Sequence, residues 1–232
     1  MIPAEIKKIE AEFKQLQQRL LLEQPGIAVE AQKLWDRWAE MSAQLPAVPR
    51  AADSVQVSEQ GAAMLLLLGE LSLLLEKRGL QMFAEAFEDL CFPLALWLVN
   101  AGAELHELQG VVNALARLAN SVSDERVLAG LSASIGALIQ QVTATVSHDM
   151  DNANPNRPWR LLLLNRAIIA TRSHDPALMK AAFDALVHHL PLDAPSFFSE
   201  GMQQMVALNY PERVRKVMSH YHQLFSQQQR LH

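Results

Sequence analysis

Cysteine is nearly missing from this chain of 232 residues: Cys91 stands alone, which excludes an internal disulfide and suits a reducing, cytosolic compartment. Aromatic residues are scarce at 6%, and the apolar half of the composition is mostly Leu and Ala. Those are helix formers, while the β-branched and aromatic types that favour strands are thin, so a β-rich fold is excluded and an all-α fold expected. Long hydrophobic runs are missing too. The most apolar stretch, Ala62–Leu75, spans 14 residues and is interrupted by Gly69, Glu70 and Ser72. A membrane span needs roughly 20 apolar residues, so this segment reads as a buried helix. The start, MIPAEIKKIEAEFKQ, mixes charges where a signal peptide has its apolar centre. There is no dense basic block and the net charge is −5, which argues against nucleic acid. The chain is expected to be soluble and cytoplasmic, with no membrane or nucleic-acid partner.

The organisation that is present begins with a heptad-like pattern. Ile6, Ile9, Phe13, Leu16 and Leu20 recur in steps of three and four, and Gln24-Pro25-Gly26 breaks the pattern. Ile27, Ala31, Leu34, Trp38, Met41 and Leu45 then repeat it. Residues 1–45 are therefore expected to form an antiparallel helical hairpin. Each seam runs for about two and a half heptads, too short for a free-standing coiled coil. The hairpin must pack on its own chain or pair with a second copy, and a homodimer through the hairpin is the sharper alternative. Trp35 and Trp38, near one face, are candidates for that contact surface.

Residues 46–57, PAVPRAADSVQV, read as a linker, and residues 58–232 as a helical domain. Ser58 is a plausible N-cap for a helix reaching Arg78, with Gly79 ending it. Pro93 kinks or splits Leu80–Asn100, and Ala101-Gly102 makes the next break. A helix to about Asn120 follows, then one capped by Ser123 and running to about Ser147. Asp175-Pro176, Asp193 with Pro195, and Asn209 with Glu212 are start signals for three more. About ten helices result, arranged as an α–α superhelix or an irregular multi-helix bundle.

SDERVLAGLSASIGAL, HDPALMKAAFDALVHHL and YPERVRKVMSHYHQLF each place a cap or proline before an amphipathic helix, at starts 124, 175 and 211 that share no fixed period. Phe183, Leu186 and Pro191 resemble the second helix of a tetratricopeptide unit, and the D/P-x-x-V beginnings resemble second helices of HEAT repeats. The likeness covers about the last 110 residues, and the Trp/Leu-Gly/Tyr half of the tetratricopeptide pattern is missing. It implies a superhelix that binds other proteins.

Chemistry is sparse. SHDMDNANPNRPWR, residues 147–160, crowds Asp149, Asp151, Asn152, Asn154 and Asn156 into eight positions. Read as a calcium loop from Asp149, positions 5, 6 and 12 are Ala153, Asn154 and Arg160; from Asp151 the fit is worse. Without the anchoring bidentate carboxylate, the stretch reads as a hinge, with Asn156 and Pro158 starting a helix led by Trp159. His106, His148-Asp149 and Asp175 resemble the His, His-Asp and Asp set of the HD superfamily of metal-dependent phosphohydrolases, which implies a metal-dependent hydrolase as the alternative function. Here the His-Asp pair opens a polar Asn/Pro loop, whereas that family's pair follows an apolar helical run.

Gly130-Leu-Ser132-Ala-Ser134 lacks the second glycine of a nucleophile elbow, and neither a P-loop nor a dinucleotide fingerprint is present. Cys91, among Leu90, Phe92 and Leu94, reads as a core thiol, and Glu70 as the edge of a helix face. Residues 1–156 hold 11 Lys/Arg against 20 Asp/Glu, while residues 157–232 hold 9 against 5. In the basic half, Arg213, Lys216 and His220 line one side of an amphipathic terminal helix and are candidates for a small anionic-partner surface. The leading expectation is a non-enzymatic interaction or adaptor module that takes a protein or peptide partner and needs no cofactor.

Overall fold

The heptad residues do meet in space, inside a single chain. The computed structural model describes residues 2–45, 53–147 and 154–228, and every element among them is helical apart from one isolated bridge. The chain divides into two compact units, residues 1–118 with 140–154 and residues 119–139 with 155–232.

The first unit begins with α1 (Ile2–Glu23), a 3-10 turn (Pro25–Ile27) and α2 (Ala28–Gln44). Ile6, Ile9, Phe13 and Leu20 from α1, and Ile27, Ala31, Trp35 and Trp38 from the turn and α2, are buried. They pack on α3 (Ser54–Lys77), α4 (Gln81–Glu88) and α5 (Cys91–Asn100). Phe13 stacks on Trp38 at 4.4 Å and meets Phe87 of α4 edge-on at 5.2 Å. Seven of the eleven seam positions are thus buried within the chain, while Leu16, Leu34, Met41 and Leu45 stay half-buried.

Met64, Leu65, Leu67, Leu68, Leu71 and Leu75 make α3 the spine of this core. By length and composition α3 is also apolar enough to cross a membrane, with half of its apolar window buried. It starts at Ser54, so the last four residues of the expected linker are helical; residues 46–52 lie outside the described residues. Ser58 is not its cap. The buried Ser58 hydroxyl donates to the Ser54 carbonyl and accepts from the Glu104 N–H.

Gly79 closes α3 at φ +73°, where the Leu80 and Gly79 N–H groups donate to the Leu75 and Glu76 carbonyls. That is the paired-bond stop a left-handed residue allows. Gly102 repeats it at the end of α5. Pro93 does split its segment, sitting in the first turn of α5.

The chain then runs extended through Leu105, whose N–H donates to Gln141 O and whose carbonyl accepts from Thr143 N, before α6 (Gln109–Ser121). Arg117 of α6 pairs with Glu88 and Asp89. Cys91 is fully buried, and burial together with the Glu88 carboxylate pushes its thiol up, away from the reactive thiolate.

Asp124, not Ser123, caps α7 (Glu125–Gln140) by accepting from the Arg126 and Val127 N–H groups. The helix ends at Gln140 rather than near Ser147, because Gln141 and Thr143 bond to Leu105; a four-residue α8 (Ala144–Ser147) follows. The second unit combines α7 with α9 (Pro158–Arg172), α10 (Pro176–His189), α11 (Ala194–Ala207) and α12 (Glu212–Gln228). Pro158 opens α9 as expected.

Phe183, Phe198, Leu186, Met205, Val214 and Met218 fill the core of this unit. Phe183 and Phe198 contact each other and Tyr221 ring to ring, and Phe225 stacks on Phe198. The four tryptophans are all buried: Trp35, Trp38 and Trp97 in the first unit, Trp159 in the second.

Candidate functional site

Helices α9, α11 and α12 leave an open groove of about 400 Å³ in the second unit. Its α11 wall carries Phe197, Gly201, Met205 and Leu208, spaced by four, four and three residues and therefore on one helix face. Ile168 and Thr171 face it from α9 and Met218 from α12. At Gly201 the helices come close: a Cβ there would lie 2.7 Å from both Sδ and Cε of Met218, and the flexible end of that side chain would have to shift. The bare backbone of Gly201 lets the Met218 thioether lie across α11.

The end of the groove is set by backbone conformation. Asn209 adopts φ +49°, and the Tyr210 N–H donates back to Met205 O, so α11 stops and Tyr210 turns onto the rim. Tyr210 meets the His174 ring edge-on at 5.2 Å. His174 is itself left-handed at φ +55° and is held by Nδ1 to Glu125 at 2.6 Å and by Arg213 Nε at its carbonyl.

Groove chemistry is mostly apolar, and the cationic side chain in its lining is engaged. Arg172 donates to the Ala119 and Val122 carbonyls at 2.8 and 2.6 Å, satisfying acceptors at the end of α6. Glu200 and the amides of Gln203 and Gln204 form the polar edge. Ile168 and Leu208, in the groove's lining, remain 46% and 64% exposed.

A second depression of about 430 Å³ lies between α1 and α2 and is more polar, lined by Glu10, Lys14, Gln17, Gln32 and Asp36 over Phe13, Trp35 and Trp38. The buried Trp35 Nε1 has no hydrogen-bond partner among the described residues.

The residues expected to form a site do not converge. Trp35 and Trp38 are 3% and 4% exposed and belong to the core, with α2 packed on α3 and Trp38 stacked on Phe13. Arg213, Lys216 and His220 are exposed on α12, but Arg213 is tied to the His174 carbonyl and Lys216 to Glu212 at 2.7 Å, while His220 lies against the Tyr221 ring.

Asp175 is the N-cap of α10, its Oδ1 accepting from the Ala177 and Leu178 N–H groups at 2.8 and 3.1 Å. His106 is exposed in the first unit. His148 and Asp149 lie outside the described residues. Glu70 sits on the surface of α3, paired with Arg37 at 2.7 Å. Among the described residues no three His, Cys, Asp or Glu side chains are placed to share a metal ion.

The groove itself is not legible in the sequence, since Phe197, Met205 and Met218 have the spacing of ordinary core positions. One signal is there: Val206 and Leu208 leave large aliphatics exposed immediately before an Asn-Tyr-Pro stop. No protein-family model, curated protein or solved structure matches the chain.

Proposed function

We propose that the chain is a non-enzymatic interaction module whose second unit accepts an amphipathic helical segment of a partner protein in the α9–α11–α12 groove. The observation that carries this reading is an open apolar groove with Met205, Met218 and the exposed Ile168 and Leu208 in its lining. Methionine is unbranched and polarizable and adapts to varied apolar partners. A groove of this volume lies within the roughly 300–1,000 Å³ of ligand clefts. Its apolar floor and polar edge suit a helix that presents apolar residues at i, i+3, i+4 and i+7 and polar residues outward.

The test is selection of helical peptides from a displayed library on the full chain, followed by titration against Leu208→Glu and Ile168→Glu. Both side chains are substantially exposed, so the variants should keep the parent circular dichroism and melting temperature. Each is expected to weaken peptide binding by about tenfold or more, as loss of a buried apolar anchor does. Peptides that bind both variants as tightly as the parent would place recognition elsewhere.

A further inference from the structure

The spine helix α3 buries one side and leaves a second apolar stripe in solvent. Val55 is 70% exposed, and Leu66 and Leu73 are each 51% exposed. Ala62 and Gly69 continue the line, so 55, 62, 66, 69 and 73 follow seven-, four-, three- and four-residue steps along a heptad seam. At Gly69 the surface is open: a Cβ there would meet nothing within 4 Å.

We propose that this stripe is a homodimer interface in which two copies of α3 pack antiparallel about a two-fold axis at Gly69. The occupant is identified by the stripe's self-complementarity, which an isologous interface requires. An antiparallel pair centred on Gly69 sets Leu66 of one copy beside Leu73 of the other, twice, with the glycines allowing close approach where the helices cross.

The flanking charges select the same arrangement. Glu59 and Lys77 are both exposed, and neither makes an ion pair among the described residues. They are 18 residues apart, five helical turns, so they share one flank of the stripe and stand about 27 Å apart along it. Rotation about Gly69 keeps that flank and brings Glu59 of each copy alongside Lys77 of the other, whereas the two-fold of a parallel pair runs along the helices and would leave the two copies' Glu59 and Lys77 on opposite flanks, unpaired. Glu70 approaches its symmetry mate near the axis, but each Glu70 already holds Arg37, so that cluster is neutral. The interface lies wholly on the first unit and is independent of the groove.

Sedimentation equilibrium of the full chain over a wide concentration range is the test. A monomer–dimer equilibrium is expected, abolished by Leu66→Glu with Leu73→Glu. Glu59→Lys should weaken dimerisation about tenfold by turning both rim attractions into repulsions. Adding Lys77→Glu to it should restore the parent affinity, a rescue that a merely structural effect would not give. Circular dichroism confirms that each variant is folded. A monomer at every concentration, a dimer indifferent to the leucine substitutions, or a charge swap that fails to rescue would each overturn the proposal. So would co-flotation of the chain with phosphatidylcholine vesicles that is lost in the double-Glu variant, since the stripe would then face lipid.

Discussion

Two glycines eight residues apart on α3, Gly61 and Gly69, should respond to the same substitution with opposite results. Gly→Ala inside a helix gains about 1 kcal/mol from reduced backbone freedom and better propensity. At Gly69 nothing opposes that gain, so Gly69→Ala should stabilise the protein by about that amount at concentrations where the chain is monomeric. At Gly61 the new methyl would lie 2.4 Å from Leu98 Cδ2, 2.6 Å from Cδ1 and 3.1 Å from Cγ. Carbon atoms rest at about 3.5–4.0 Å, so the overlap exceeds an ångström and involves the branch point as well as the tips.

Leu98 is buried in α5, so any movement that relieves the overlap pushes on its neighbours, and overpacking of this kind costs about 1–3 kcal/mol. The propensity gain is common to both sites. The difference between the two variants therefore isolates the steric cost, about 1–3 kcal/mol, with Gly61→Ala the less stable. Urea unfolding followed by tryptophan fluorescence measures it, and melting should separate the variants by several degrees, at about 2–4 °C per kcal/mol for a chain of this size. Equal stabilisation by both would mean that α3 and α5 do not approach through Gly61.

Asp175→Ala should cost about 1 kcal/mol by leaving two α10 N–H groups uncapped, and Asp175→Asn much less; a melting temperature raised by divalent metal and lost in Asp175→Ala would reassign the residue as a ligand. Tyr221 adds to the alkaline pH dependence that the buried Cys91 thiol also carries: burial, then its hydrogen bond to Asp184, holds its phenol above the usual value near 10. The unfolded chain releases this proton first, so the stabilisation is complete below about pH 10 and lost as pH climbs toward the native value. Denaturant midpoints should fall across that window in the parent and fall less in Tyr221→Phe.

Helix content and most helix ends are encoded locally. Pro25-Gly26, Gly79, Gly102, Asp175-Pro176 and Pro158 act through their own φ preference or side-chain oxygen, and each does so here. The failures share another cause. Ser58 has the chemistry of a cap, yet its hydroxyl is engaged by Glu104, 46 residues away. The stop after Gln140 depends on Leu105, which no local pattern reveals. Trp35 and Trp38 mark a contact face by their spacing, but spacing does not say whether the contact lies inside the chain or outside it. The groove required three helices and a glycine whose close approach is visible only beside Met218.

The aromatic residues are divided between the units in a way that labels them optically. Three of the four indoles belong to the first unit, and both tyrosines, Tyr210 and Tyr221, to the second. Replacing Trp159 by Phe would leave indole emission as a reporter of the first unit alone. Phenol absorbance and near-ultraviolet ellipticity from tyrosine would then follow the second. Whether the units melt as one cooperative body or in sequence becomes readable without any attached dye.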